Sequence, residues 1–256
     1  IELFHNFTLL HDDIMDQAPL RRGKETVYKK WNPNVAILAG DTMFALANKY
    51  MLRTRQQAIS QVMELFNQTA IEVCEGQQYD MDYEHQANVS IADYIEMIRL
   101  KTAVLLAASL KTGAIIAGAE ASDCDYIYQF GIHIGLAFQL KDDLLDVYGV
   151  QEKFGKVSGG DIIAGKKTYL YLKALETAGS EADTFRSLYA AQDMESSEKI
   201  AKVKEVFNRM NIETHTRQLI NYYYQKALRD LSAISLPEEA MESLTEYAAW
   251  LMEREN

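Results

Sequence analysis

The chain has 256 residues, 48% of them hydrophobic, which is enough to bury a substantial core, and its formal net charge of −11 argues against general nucleic-acid binding. Only three prolines occur among abundant Ala, Leu, Met, Glu, Lys and Gln, a composition that favours helices. Cys74 and Cys124 form neither a CxxC nor a zinc spacing, and no signal-peptide pattern is visible, so a cytoplasmic setting is expected. The most apolar stretch, residues 104–119, is interrupted by Lys111, and no membrane span is read from it.

In chain order, residues 1–16 predict a helix stopped by Pro19 and a basic loop at Arg21-Arg22-Gly23. Ile1 already lies inside an apolar-periodic segment, so further helices are expected ahead of it. Asn32-Pro33 reads as an N-cap with proline at the first helical position, opening a helix to about residue 52. Another helix covers roughly residues 56–85. Ser90-x-x-Asp93 resembles a capping box, with a helix to about residue 110, and Ser122-x-x-Asp125 opens the next, to about residue 148. Residues 154–167, rich in Gly and Lys, predict a loop. The remainder is helical, with Ser235-Leu236-Pro237-Glu238 starting the last helix. No useful strand pattern, tandem repeat or linker is found, so one all-α domain over residues 1–256 is expected.

Two Asp-Asp-x-x-Asp motifs stand out, Asp12-Asp13-Ile14-Met15-Asp16 and Asp142-Asp143-Leu144-Leu145-Asp146. On a helix the first and last aspartates share one face, with Cβ atoms roughly 6 Å apart. Their charges repel by about 3 kcal/mol at an effective dielectric of about 20. Each motif also sits near a predicted helix C-terminus, where the dipole disfavours anions. A hard cation with oxygen ligands would relieve both, and magnesium in particular bridges carboxylates to substrate phosphates. A solvated acidic face is the plain alternative for one such cluster. Here each motif is preceded by an apolar face and followed by basic residues, Arg21-Arg22 after the first, Lys156 and Lys166-Lys167 after the second. Acid followed by base, twice, predicts a metal-diphosphate clamp.

These segments resemble the trans-prenyl diphosphate synthases, or polyprenyl synthetases. The resemblance is carried by His11-Asp12-Asp13-Ile14-Met15-Asp16 with Arg21-Arg22-Gly23, by Gly76-Gln77-Gln78-Tyr79-Asp80, by Lys101-Thr102, and by Phe138-Gln139-Leu140-Lys141 ahead of the second motif. Phe154-Gly155-Lys156 and Gly160-Asp161 through Lys166-Lys167-Thr168 complete an ordered set within residues 1–170. The resemblance implies an isoprenoid synthase-type helical bundle around a central cavity, a homodimer, and magnesium-dependent condensation of isopentenyl diphosphate with an allylic diphosphate. It implies that Asp12 and Asp16 bind one pair of magnesium ions and Asp142 a third, supported by Asp13, Asp143, Asp146 and Asp161. It further implies that Arg21, Lys101, Lys156 and Lys166 serve the allylic diphosphate, Arg22 and His5 the isopentenyl diphosphate, and Thr102 and Gln139 the developing cation. The family's Gly-Gly-Lys-Arg-x-Arg-Pro segment would precede Ile1.

Phe7 lies just over one helical turn of about 5.4 Å below Asp12. With Thr8 beside it and Phe4 narrowing the next turn, it predicts a floor for the growing chain, and the resemblance implies that an aromatic here, with no insertion inside the first motif, gives a short C15–C20 product, C20 slightly favoured; ordinary core packing is the alternative for this ring. Gly160-x-x-x-x-Gly165-Lys166 approaches a nucleotide P-loop, but Lys167 replaces the required Ser or Thr and no strand precedes it. Glu2-x-x-His5 lacks the second copy that a di-iron bundle needs. His133, His215 and Tyr222-Tyr223-Tyr224 read as structural. A class I terpene cyclase and a non-catalytic subunit of a heteromeric synthase are the competing readings. The full second motif and the Arg21-Arg22 pair argue against the first, and two intact motifs against the second.

Overall fold

The computed structural model describes residues 1–149 and 159–253. Helix α1 (Glu2–Met15) buries Phe4 in a ring cluster with Phe7, Phe44 and Phe66, at centroid distances of 5.5, 5.8 and 5.3 Å. The basic loop after it is a small hairpin rather than open coil: β1 (Leu20–Arg21) pairs antiparallel with β2 (Lys24–Glu25). Arg22 and Gly23 both have positive φ, 53° and 75°, the geometry of a type I′ turn, which two-residue hairpins prefer. So short a ladder leaves no alternating apolar pattern to detect.

After the single turn α2 (Val27–Lys30), helix α3 (Pro33–Met51) starts as its sequence predicts, with Asn32 accepting a hydrogen bond from the Val35 amide at 3.0 Å. Helix α4 (Ile59–His85) follows, then α5 (Ile91–Ile98) behind a complete Ser90/Asp93 capping box. A π turn at Arg99–Ala103 joins α5 to α6 (Val104–Ala117). The helix therefore runs seven residues beyond the expected end at 110. Lys111 does not break it, because its ammonium is paired with Asp125 at 2.7 Å, and the stop comes at Gly118 in the left-handed region.

Helix α7 (Ala121–Tyr148) begins one residue before Ser122, and no side chain caps it. The expected Ser122/Asp125 cap does not form: Asp125 is engaged by Lys111, and Asp123 accepts from the Ser235 amide at 3.2 Å. The expected loop before residue 167 also contains a short helix, α8 (Gly160–Ala164). Helices α9 (Tyr169–Thr177), α10 (Ala182–Ala190), α11 (Ser196–Arg209), α12 (Ile212–Ser232) and α13 (Glu238–Glu253) complete the described chain. His133 is structural, its Nδ1 2.5 Å from Asp230 Oδ2 and its ring stacked on Tyr223. Tyr223 and Tyr224 pack against the core, as their sequence reading predicts.

Residues 91–117 are long and apolar enough to cross a membrane by composition. Here they form a core helix packed between α4 and α7, with Arg99 and Lys101 ion-paired at its middle. The π turn is gripped from both sides. A Cβ on Gly76 of α4 would lie 2.3 Å from the Lys101 amide nitrogen, and one on Gly135 of α7 would lie 2.7 Å from the Ala103 Cα. Two helices can approach this closely only because these positions lack side chains. The grip aims Lys101 and Thr102 inward.

Gly76→Ala tests this arrangement. The added methyl meets backbone, which cannot rotate away, so unfolding free energy should fall by about 1–3 kcal/mol. Thermal or denaturant unfolding of the two proteins measures the difference, and an unchanged midpoint would mean that the close approach is not required.

Candidate active site

The first acidic motif ends α1 and the second lies in the last two turns of α7. Arg21 folds back from the hairpin onto the first, donating to Asp13 at 2.7 Å and Asp12 at 3.0 Å. Lys101, thrust forward by the π turn, lies 2.6 Å from Asp80 and 3.1 Å from Asp12. Lys166 stands 3.6 Å from Asp16. Burial works to lower the pKa of both lysines, but the carboxylates around them win and raise both, Asp80 and Asp12 at Lys101, Asp80 and Asp16 foremost at Lys166. Both ammonium groups therefore stay charged.

Two sets of contacts hold the second motif. In one, the Thr102 hydroxyl donates to Gln139 Oε1 at 3.0 Å, and Gln139 Nε2 donates to Asp143 at 3.0 Å. Tyr94, fully buried, donates its hydroxyl to the other oxygen of Asp143. Burial, with the charge of Asp161 next, pushes the Asp143 carboxyl up to about 8. In the other, Asp146 accepts from the Asp161 amide at 3.0 Å, and the Tyr189 hydroxyl donates to the Lys166 carbonyl at 2.7 Å.

Below the first motif opens a cavity of about 440 Å³, within the size range of small-molecule sites. His5, Phe7, Thr8 and Asp12 line one side, and Gln77, Lys101, Thr102 and Leu105 the other. Burial lowers the pKa of His5, with Arg22 and Arg21 adding to the effect against Glu2, so it presents a neutral imidazole. Phe4 does not reach the cavity. It is completely buried behind Phe7, because its ring closes the cluster with Phe44 and Phe66 instead. A smaller cavity of about 110 Å³ lies between Asp80, Lys101, Asp143, Asp161 and Lys166. Lys156 and the rest of Phe154-Gly155-Lys156 lie outside the described residues.

The donor set suits a hard cation. Asp12 Oδ1 is buried without a hydrogen-bond partner, since the nearby Lys101 ammonium is out of alignment with it, and Gln77 Nε2 on the cavity wall is buried and unpartnered too. Among the described residues no three His, Cys, Asp or Glu side chains converge to enclose an ion by themselves. The unpartnered Asp12 oxygen at the cavity fits magnesium, which is commonly bound by one or two carboxylates together with waters and substrate phosphates.

Asp80, Tyr94 and Tyr189 carry contacts, and Gln77 lines the cavity, in roles that motif reading did not assign. Asp80 and Gln77 were within reach, since both sit in the Gly76-Gln77-Gln78-Tyr79-Asp80 segment. Tyr94 and Tyr189 meet the site only through the fold, and nothing in their local sequence marks them.

Comparison with known proteins follows the same outline. The sequence model of the polyprenyl synthetase family matches residues 1–210. The chain is 36% identical over 257 residues to the short chain isoprenyl diphosphate synthase of Methanothermobacter thermautotrophicus, covering 100% of this chain and 78% of that protein. A crystal structure of a geranylgeranyl pyrophosphate synthase superposes with a TM-score of 0.95 at 45% identity, covering 100% of this chain and 79% of the other. The geranylgeranyl pyrophosphate synthase of Corynebacterium glutamicum, solved in complex with isoprenyl diphosphate and magnesium, superposes with a TM-score of 0.89 at 30% identity, covering 99% and 77%.

The buried Asp143 carboxyl has a measurable signature. Its folded pKa of about 8 lies above the ordinary 3.8, so the folded state holds this proton more tightly than the unfolded chain. The stability from this group is complete below pH 3.8 and is lost as pH rises through about 8. With divalent ions chelated, the wild-type protein should therefore lose stability relative to Asp143→Asn as pH rises through that window. Parallel unfolding curves for the two proteins from pH 5 to pH 9 would contradict the assignment.

Proposed function

This chain belongs to the polyprenyl synthetase family, and from that premise we propose that it condenses isopentenyl diphosphate with an allylic diphosphate to give a linear C15–C20 diphosphate, with C20 slightly favoured. It is a trans-prenyltransferase. The observation that carries the proposal is the alternation of acid and base at the cavity mouth: Asp12, Lys101 and Asp80, then Asp16 and Lys166, above an apolar pocket lined by Phe7 and Leu105. A diphosphate head and an isoprenoid tail need these two environments side by side.

In the proposed reaction the allylic carbon–oxygen bond breaks and the diphosphate leaves with the electron pair. Arg21, Lys101 and Lys166, with Lys156, bind and neutralise that leaving group. Asp12 and Asp16 on one side and Asp142 on the other would hold magnesium, three ions in this reading, which would supply Lewis-acid polarisation of the diphosphate. Asp13, Asp143, Asp146 and Asp161 support those ligands in this reading: Arg21 bridges Asp13 and Asp12, Gln139 holds Asp143, and the Asp161 amide holds Asp146. The Thr102–Gln139 hydrogen bond fixes two oxygen dipoles beside the allylic carbon, where positive charge develops. Arg22 and neutral His5 hold isopentenyl diphosphate, whose double bond forms the new carbon–carbon bond. The proton then released goes to the departing diphosphate, so no side-chain base is needed.

Phe7 and Thr8 set product length in this reading, and Phe4 backs Phe7 rather than narrowing the channel itself. The chain is read as one domain that acts in the cytoplasm as a homodimer.

One assay tests the proposal. Incubation with magnesium, isopentenyl diphosphate and an allylic diphosphate should yield linear diphosphates. Asp12→Ala and Asp142→Ala should each lower the rate by at least about a hundredfold. Phe7→Ala should lengthen the products. Cyclic hydrocarbons, or near-normal turnover in either aspartate variant, would contradict the proposal, and unchanged product length in Phe7→Ala would remove the ruler alone.

A further inference from the structure

The tandem Lys166-Lys167 sends its two ammonium groups in different directions. Lys166 Nζ faces Asp16 across the diphosphate site at 3.6 Å, a loose pair that an entering anion can replace. Lys167 Nζ turns to the C-terminal end of α4. It donates to the main-chain carbonyls of Tyr83, of Glu84 at 3.2 Å and of Gln86 at 2.7 Å.

A lysine ammonium has three N–H donors, and here three carbonyls take them. The last carbonyls of a helix have no partner within it, and the dipole there favours a cation. Lys167 is therefore committed to α4 and has no donor left for phosphate. The turn between the two lysines is held at other points as well. Gly165 takes the left-handed conformation at φ 71°, the Lys166 amide donates to the Asp161 carbonyl at 2.9 Å, and the buried Tyr189 hydroxyl donates to the Lys166 carbonyl at 2.7 Å. Asp161 and Tyr189 tie the turn to the second motif's side of the site. Among the described residues Lys167 supplies the hydrogen bonds that tie it to α4, the helix that carries Asp80 and thereby Lys101.

We propose that Lys167 is a positioning residue: by fastening residues 165–168 to the end of α4, it sets the distance between the Lys166 ammonium and the Asp80–Lys101 pair, and so the width of the diphosphate site. This rests on the reading that Lys166 contacts the diphosphate. The two lysines divide the work, one binding the anion and the other holding its neighbour in place.

The test is a double-mutant cycle in the full chain with Lys166→Gln, Lys167→Met, the double variant and Lys167→Arg. The readouts are KM for the allylic diphosphate, the inhibition constant of inorganic diphosphate and the thermal midpoint. Lys167→Met should raise both constants about tenfold, as loss of groups that orient a binding residue commonly does. Lys167→Arg, which keeps the cation that the α4 dipole favours, should lose less than Lys167→Met. In the Lys166→Gln background, Lys167→Met should add nothing further, because its effect travels through Lys166. A Lys166→Gln protein with wild-type constants would overturn the underlying reading of Lys166. Impairment by Lys166→Gln, with Lys167→Met either harmless or fully additive to it, would leave that reading intact and overturn the positioning role. A Lys167→Met loss that follows the thermal midpoint and persists undiminished in the Lys166→Gln background would also overturn it.

Discussion

Everything in this molecule depends on holding like charges together at the mouth of an apolar cavity. Asp12 and Asp16 share one helix face, and Asp80 is brought in beside them through Lys101. Each such carboxylate pair costs about 3 kcal/mol at intermediate dielectric. The fold supplies three cations to offset this, and each arrives from a different element: Arg21 from the hairpin, Lys101 from the π turn and Lys166 from the turn after α8. These cations pair with the aspartates, and they are also the groups that an incoming diphosphate would meet. The network that offsets the carboxylate repulsion and the network proposed to receive an anion are the same set of atoms.

The rest of the architecture positions those three cations. Gly76 and Gly135 let α4 and α7 close on the π turn, so Lys101 and Thr102 project from a fixed point. The type I′ turn at Arg22-Gly23 brings Arg21 back over α1. Tyr94 and Gln139 hold Asp143 inside the bundle, where burial keeps its carboxyl protonated more readily than an exposed one. The aromatic cluster of Phe4, Phe44 and Phe66 fixes Phe7 against the cavity wall.

Much of this is legible in the sequence, because its strongest signals are local. The two aspartate motifs, the Asn32-Pro33 cap and the Ser90/Asp93 box depend on spacings of a few residues, and the structure contains the motif helices and both caps. Local signals mislead where a side chain has a better distant partner. Asp125 looks like a cap residue, yet Lys111 claims it, and the same ion pair lets α6 run past its expected end. Phe4 looks like part of the channel because it is one turn below Phe7, yet the rings of α3 and α4 draw it into the core. Tyr94 and Tyr189 are invisible to pattern reading, since their partners lie 49 and 23 residues away in the chain. The different tasks of Lys166 and Lys167 are equally hidden, because adjacent identical residues carry no hint of diverging side chains.

The central claim is that the carboxylates are arranged for magnesium and diphosphate together, not for magnesium alone. Calorimetric titration of magnesium, with and without saturating inorganic diphosphate, tests it most directly. Magnesium keeps several waters and is completed by phosphate oxygens, so it should bind weakly to the protein alone and at least about tenfold more tightly with diphosphate present. The coupling should be reciprocal, and Asp12→Asn should abolish it. Equal magnesium affinity in the two titrations would contradict the account.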